Sequence, residues 1–148
     1  MKIDLDGMDC KILDILQLDA RTTMAEIGRR IHMSQPAVAE RVKRMEAANV
    51  ISGYHAQVNP AAVGYGITAF IRVAMRGHDL PIDTMAAQLP EIIECHAVTG
   101  DDCHIVKVLA PSVTELAQTI ASLTRCGVTS TSIVLSSSVY RKAIKPAS

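Results

Sequence analysis

The stretch that decides the fold is Met24–Glu46, MAEIGRRIHMSQPAVAERVKRME, which predicts two short helices separated by a three-residue turn. Apolar residues recur at helical spacing on both sides of the break, and Ser34 is placed to cap a second helix whose first turn accepts Pro36. Off its apolar stripe, that helix has three basic residues, Arg41, Lys43 and Arg44. Two helices crossing over a tight turn form a helix-turn-helix, whose second helix can enter the major groove of DNA.

The composition predicts a folded protein of one or two small domains. Hydrophobic residues make up 49% of the 148 residues and aromatic residues only 3%, so the cores must use Ile, Val, Leu, Met and Ala. No stretch approaches the roughly 20 apolar residues that cross a bilayer, so no membrane partner is expected. The first residues, MKIDLDGMDC, lack the pattern of a secretory leader, and we expect a cytoplasmic protein. The cysteines are scattered, as is typical of reduced thiols: Cys10, Cys95, Cys103 and Cys126.

The net charge is zero, but the charges are segregated along the chain. Residues 4–19 contain five acidic residues and one base, whereas residues 21–44 contain six bases and two acids. Six minus two leaves a surplus of four positive charges, which predicts a modest surface for DNA phosphates. On charge alone, an ordinary solvated helix surface is an equally good interpretation.

The first 66 residues predict a helical domain followed by a linker. Asp6 is a good N-cap, with Asp9 at the third helical position, and the helix that follows has apolar residues at Met8, Ile12, Ile15 and Leu16. Together with the helix-turn-helix this makes a three-helix winged unit over residues 1–50. Residues 51–66 are predicted as a linking strand, Val50–Asn59, and a hinge, Pro60–Gly66.

Residues 67–148 predict a βαββαβ domain of ferredoxin-like type, so the fold class is α+β. One helix is opened by Asp79 and Pro81; the other follows the capping-box spacing Ser112–Glu115 and is expected to bury Val113, Leu116, Ile120 and Leu123. The predicted strands are Thr68–Met75, Ile92–Thr99, His104–Ala110 and Val128–Val139. Because helices cover only one face of such a sheet, the apolar residues on the other face predict at least a homodimer.

The order of these pieces resembles the Lrp/AsnC (feast/famine) family of transcriptional regulators over essentially the whole chain. The closest matches are S-x-x-x-x-x-x-R-V-K-R-M-E from Ser34, V-I-x-G-Y from Val50, and ECHAVTGDDCHIVK over Glu94–Lys107. The resemblance implies a regulator that binds double-stranded DNA and forms dimers that assemble to tetramers or octamers. It also implies a small effector, usually an amino acid, bound between dimers.

The predicted DNA contacts lie in the second helix of the helix-turn-helix. Gln35 can offer an amide to a base edge, Ser34 can serve a phosphate, and Arg41 can reach guanine or phosphate. Glu40 either favours cytosine or pairs with Arg44. The full predicted set is Ser34, Gln35, Pro36, Arg41, Lys43 and Arg44.

The resemblance places the effector near the turn after the second strand, with help from the start of the last strand. Asp101 or Asp102 could accept an α-ammonium group, and a strand hydroxyl could donate to a carboxylate. The predicted set is Thr99, Gly100, Asp101, Asp102, Thr129 and Thr131. A simple tight turn is the alternative interpretation. Cys103 and His104 stand where the family often has Asp and Tyr, so the identity of the ligand stays open.

Two Cys-His pairs raise the question of a metal site or an enzyme. Cys95-His96 and Cys103-His104 flank the turn, but strand alternation sends the members of each pair to opposite faces. We therefore predict core thiols and surface histidines, with no metal ligands and no cofactor. No catalytic motif is present, which favours a protein that is not an enzyme. A metal sensor or a haem-type decarboxylase on the same fold, using His96 or His104, is the alternative.

Overall fold

The computed structural model describes residues 4–74, 81–100 and 103–147, and its contacts divide the chain into two units. The first unit is Met1–Ala56 together with Val139–Ser148, and the second is Gln57–Ser138. The sequence predicted that the last segment belongs to the C-terminal domain. The structure groups it with the first unit, where Gln17 bonds to the backbone of Ile144. No helix in the described part of the chain is long and apolar enough to cross a membrane.

The first unit contains the predicted helix-turn-helix. Helix α1 is Gly7–Leu18, α2 is Met24–Ile31 and α3 is Gln35–Ala47. Asp6 begins α1 with a full capping box, in which its side chain accepts from Met8 and Asp9 while the Asp9 side chain accepts from the Asp6 amide. The helices meet over an aliphatic core of Ile12, Leu16, Ile27, Ile31, Val38, Val42 and Met45. Burying each such side chain stabilises the unit by roughly 1.5–3 kcal/mol.

The prediction of a linking strand over Val50–Asn59 is wrong. The described residues of the first unit contain no strand, so the predicted wing is absent as well. Strand-forming residues alone do not make a strand, because a ladder needs a second backbone to accept and donate its hydrogen bonds. Instead, the hydroxyl of Tyr54 donates to Glu46 at 2.9 Å, and Asn59 caps a 3-10 turn, Pro60–Val63, inside the predicted hinge.

The second unit has the predicted βαββαβ order. Its strands have the antiparallel order β2-β3-β1-β4, which is the ferredoxin-like arrangement. The strands are β1 Ile67–Ala74, β2 Ile92–Ala97, β3 His104–Ala110 and β4 Val128–Ile133. The helices are α4 Ile82–Gln88 and α5 Val113–Leu123. Met75 and Asp79, which the sequence placed in β1 and at the start of α4, lie outside the described residues.

Two predicted strands are too long, and one predicted core residue is exposed. Strand β2 ends at Ala97 because that residue is opposite His104, the first residue of β3. Strand β4 ends near Val134, whose amide donates to the Thr68 carbonyl. Beyond that point β4 has no neighbouring strand among the described residues, because β1 begins at Ile67, one residue before Thr68. Val113 is exposed because it follows the cap residue directly, and the buried positions of α5 are Leu116, Thr119 and Leu123.

The sheet has one face against the helices and one without them. Alternate residues of β1 and β3 are fully buried on the helix-covered face, namely Ala69, Ile71, Val73, Val106, Val108 and Ala110. The opposite face, called here the open face, has Phe70, Ile105 and Leu109, with an ion pair of 2.8 Å between Lys107 and Glu94. Phe70 is 40% exposed. The expectation that helices cover only one face of the sheet is therefore confirmed.

Candidate nucleic-acid interface and effector site

The turn between α2 and α3 is fixed by short-range backbone contacts. Thr23 caps α2 by accepting from the Glu26 amide at 3.2 Å, and Ser34 caps α3 by accepting from the Ala37 amide at 3.4 Å. The amide of Met33 donates to the Gly28 carbonyl at 2.9 Å. A Cβ at Gly28 would lie 2.4 Å from the carbonyl oxygen of Met33, so the turn backbone occupies the space that a side chain would need.

Four of the predicted DNA contacts on α3 are exposed, namely Gln35, Pro36, Lys43 and Arg44. Gln35 and Pro36 lie in its first turn, and Lys43 lies near its middle. Among the described residues, Lys43 has no carboxylate within ion-pair distance. Ser34 is exposed too, and its hydroxyl oxygen already accepts from the helix, which leaves its proton available to a phosphate. Apart from Arg44, these side chains are free to meet DNA.

Arg41 and Arg44 are engaged differently, because both bind carboxylates at the start of α1. Nη1 of Arg41 lies 2.7 Å from Oδ2 of Asp6 and 2.8 Å from Oδ1 of Asp9. Nη2 of Arg44 lies 2.5 Å from Oδ2 of Asp9, so Arg44 does not pair with Glu40. The hydrogen bonds to Asp9 and Asp6 raise the pKa of Arg41. The sequence predicted DNA contact for both arginines and missed these partners.

The burial of Asp9 decides how firmly the two arginines are held. Its side chain is 0% exposed, although it carries a carboxylate and lies in the first turn of α1. Removing both arginines would leave this carboxylate buried without a cation, which is destabilising because the charge would also lack water. The segregation of acids into residues 4–19 and bases into residues 21–44 is the signal from which this pairing could have been predicted.

Pairing also reduces the positive surface that the sequence predicted. On α2, Arg29 and Arg30 both bind Glu26, at 2.7 and 2.8 Å. These bonds lower the pKa of Glu26 to about 2, chiefly through Arg29. With the two arginines of α3, four of the six bases in residues 21–44 have acidic partners. The described bases of this stretch without such a partner are Arg21 and Lys43.

The described members of the predicted effector set lie in or next to two strands of the sheet. Thr99 and Gly100 follow β2, and Gly100 has φ +110°, a conformation that suits glycine. Thr129 and Thr131 lie opposite Val73 and Ile71, so they share the helix-covered face. Two members of the predicted set, Asp101 and Asp102, lie outside the described residues.

The strand order separates the two halves of this predicted site. Residue pairing runs across the sheet from Thr129 to Val73, then to His104 and then to Ala97. Neighbouring strands lie about 4.8 Å apart, so Thr129 is roughly 10 Å from His104 and farther from the turn after Ala97. His104 was predicted as a surface histidine, but its Nδ1 atom is buried without a hydrogen-bond partner among the described residues.

The Cys95-His96 pair is split as strand alternation predicted, whereas Cys103 precedes β3 and His104 lies opposite Val73 on the helix-covered face. Cys95 lies opposite the buried Val106 on the helix-covered face, whereas His96 lies opposite Ile105 on the open face and 3.4 Å from Glu94. Burial raises the pKa of the Cys95 thiol, which lowers its reactivity at neutral pH. Within the described ranges, no three His, Cys, Asp or Glu side chains come together as metal ligands would.

Comparison with known proteins agrees with both units. Residues 5–46 match the AsnC-type helix-turn-helix domain, and residues 68–144 match the Lrp/AsnC ligand binding domain. The chain is 35% identical over 127 residues to the transcriptional regulator LrpB of Bacillus subtilis, covering 84% of this chain and 85% of that protein.

Solved structures of regulators have the same fold. The structure of LrpC from Bacillus subtilis superposes with a TM-score of 0.88 at 26% identity, covering 94% of this chain and all of that one. A Neisseria meningitidis transcriptional regulator in complex with L-Met superposes with a TM-score of 0.87 at 26% identity, covering 95% and 96%. The chain therefore belongs to the Lrp/AsnC family and is an effector-responsive, DNA-binding transcriptional regulator.

Proposed function

We propose that this protein is a homo-oligomeric, cytoplasmic regulator, without catalytic activity, whose α3 helix enters the major groove of its operator. The free, exposed side chains of α3 support this proposal. Gln35 offers an amide to a base edge, Lys43 binds a phosphate, and Pro36 lies beside Gln35 in the first turn. Paired helix-turn-helix units would bind successive major-groove faces about one helical turn apart.

Selection of duplexes from a random-sequence library tests this DNA-binding role. The wild-type protein should enrich a two-fold symmetric sequence, because a homodimer presents two identical recognition helices. Gln35→Ala should relax the preference at one base of each half-site, with roughly 1–3 kcal/mol of lost discrimination. Enrichment of no sequence would contradict the proposed specificity.

We propose an amino acid as the effector, bound at the end of the sheet that contains Thr99, Gly100 and Thr129. The Neisseria relative was solved with L-Met, and an amino acid offers an ammonium group for Asp101 or Asp102 and a carboxylate for threonine hydroxyls. Because the strand order separates Thr129 from the turn, a second subunit would complete the site around one ligand. Thr131 lies on the same face of β4 and belongs to the same proposed site.

A thermal-shift screen with the twenty amino acids, zinc, copper and haem tests this effector class. A ligand that binds only the folded protein raises the melting temperature, so one or a few amino acids should do so. Thr129→Val and Asp101→Ala should abolish that shift while DNA binding without ligand persists. Ser130→Ala, on the opposite face of β4, is the control and should respond normally. Shifts with metal or haem alone would contradict the amino-acid effector.

We propose that the open face of the sheet forms the homodimer, from which tetramers or octamers assemble. Its apolar residues Phe70, Ile105 and Leu109 support this, because an apolar sheet face is usually covered. Phe70→Asp should lower the mass measured by light scattering, since a charge would be buried without a partner. Leu18→Asp is the control, because Leu18 is exposed outside the sheet. An unchanged mass for Phe70→Asp would contradict this interface.

A further inference from the structure

The start of α1 and the recognition helix α3 are joined through one buried carboxylate. Asp9 has a side chain with no exposed surface, and each of its oxygens binds an arginine of α3. Its Oδ2 atom also accepts from the Asp6 amide at 3.1 Å, which closes the capping box. Asp6 in turn binds Arg41 at 2.7 Å. The cap of α1 and the two arginines therefore form one connected ionic cluster.

Arg41 and Arg44 differ from the other polar residues of α3 because both bind carboxylates of α1. With 100° of rotation per residue, Val38, Val42 and Met45 point into the core, while Pro36, Glu40 and Lys43 point away from it. Arg41 lies on a flank between those two faces, whereas Arg44 lies at the edge of the outward face, where its side chain is 47% exposed. Both guanidinium groups bind Asp9 at the start of α1.

We propose that Arg41 and Arg44 are positioning residues, which hold α3 at a fixed angle to α1 through Asp9, and that they do not contact DNA. This rests on the proposed function, in which α3 is the recognition helix. Two guanidiniums on one buried carboxylate fix both the rotation and the axial position of α3. Direct contact with the operator then belongs to Gln35, Pro36, Glu40 and Lys43.

The direction in which one substitution changes the operator affinity distinguishes this proposal from direct phosphate contact by the two arginines. Asp9→Asn removes a negative charge and frees the two arginines. If Arg41 and Arg44 bind phosphates, their release from Asp9 should raise the operator affinity. If they position α3, the operator affinity of Asp9→Asn should fall about tenfold or more. Asp4→Asn is the matched control, since it removes the same charge from an exposed residue. Each protein is assayed on the duplex that the wild-type protein selects, at a temperature where circular dichroism reports native helix content.

The salt dependence of binding gives a second, independent readout. Each phosphate contact contributes about 0.9 to the slope of log K against log salt concentration. Lys43→Gln should reduce the slope by about that amount, whereas Arg41→Gln and Arg44→Gln should lower the affinity at every salt concentration without changing the slope. Tighter binding by Asp9→Asn, or a slope loss in Arg41→Gln equal to that in Lys43→Gln, overturns the proposal.

A measurement without DNA keeps this inference separate from the proposed function. Urea unfolding of Asp9→Asn, Arg44→Gln and the double variant should be strongly non-additive, because both single changes break the same ion pair. Additive effects overturn the inference even where operator binding is normal. A wild-type protein that selects no sequence overturns the proposed function instead, and the unfolding cycle still decides whether Asp9 holds α3.

Discussion

The side-chain amide of Gln17 makes two hydrogen bonds to the backbone of Ile144, which lies 127 residues later in the chain. Nε2 donates to the carbonyl oxygen of Ile144 at 2.9 Å, and Oε1 accepts from its amide at 2.7 Å. The next residue, Lys145, lies 3.7 Å from Asp14 of α1. The chain thus leaves the first unit after residue 56 and returns to it after residue 138, where α1 binds the returning segment.

Gln17→Ala should release this segment from α1. Both hydrogen bonds are solvent-exposed, so together they are worth about 1 kcal/mol, and the amide of Ile144 should exchange with solvent roughly five times faster. Hydrogen exchange measured by NMR on the full chain checks this. Gln17→Glu keeps the acceptor and loses the donor, so the Ile144 amide should exchange at a rate between those of the wild-type protein and Gln17→Ala. An unchanged exchange rate in Gln17→Ala would mean that other contacts hold the segment.

Local patterns in the sequence were sufficient to predict most elements of this fold. Asp6 and Ser34 cap the helices that their positions predicted, and β3 has the predicted ends. The failures concern long-range partners. Strand formers in Val50–Asn59 have no neighbouring strand, and the tail that contains Ile144 binds a helix at the other end of the sequence.

The candidate site follows the same division between local and long-range information. The basic character of α3 could be read from the sequence, but the partner of each arginine depends on how α1 packs against α3. Arg41 was expected to contact DNA, and the sequence did not reveal that it also binds Asp6 and Asp9, where a buried carboxylate is unstable without a cation. Helical periodicity places a residue on a face and does not reveal which charge lies opposite.

The pH dependence of stability should include a contribution from Asp6. The pKa of its carboxyl is lowered to about 2, chiefly by the hydrogen bond from the Asp9 amide and next by the one from Arg41. In the unfolded chain an aspartate titrates near 3.9. The charged form is therefore favoured by folding, so its contribution is present above about pH 4 and is lost as the pH falls towards 2.

Asp6→Asn tests this, because asparagine caps helices about as well as aspartate but carries no charge. The variant should be less stable than the wild-type protein at pH 6, and most of this difference should be lost as the pH falls from 4 to 2. Urea unfolding across this pH range measures it. Asp4→Asn removes an equal charge outside the cap and should show a smaller pH-dependent difference. A constant difference from pH 6 to pH 2 would show that Asp6 acts without its charge.

Gly28→Ala should destabilise the helix-turn-helix. The new Cβ would lie 2.4 Å from the carbonyl oxygen of Met33, which is backbone and cannot rotate away. Overpacking of this kind is destabilising by about 1–3 kcal/mol, and it should displace the turn that sets the angle of α3. Gly7→Ala is the control, since nothing lies within 4 Å of a Cβ there. Urea unfolding should show a loss of stability for Gly28→Ala, and its operator affinity should fall, whereas Gly7→Ala should show neither loss.

His32→Gly should stabilise the same turn. His32 ends α2 in the left-handed conformation, with φ 59° and ψ 44°. A residue with a Cβ is strained there by about 1–2 kcal/mol, whereas glycine is not. This relief is partly offset, because glycine has more conformational entropy in the unfolded chain, which disfavours folding by about 0.5–1 kcal/mol. The net stabilisation should therefore be about 0.5–1 kcal/mol.

Asn49 provides the matched comparison for His32, because it follows α3 with φ 56° and asparagine tolerates that conformation better than histidine does. Asn49→Gly should therefore gain less stability than His32→Gly. Urea unfolding of both variants measures the two differences under one set of conditions. Equal gains would mean that glycine acts only through the backbone angle; a loss in His32→Gly would mean that the imidazole itself stabilises the turn. We expect the larger gain at His32 because both residues have the left-handed backbone conformation but histidine is more strained in it than asparagine.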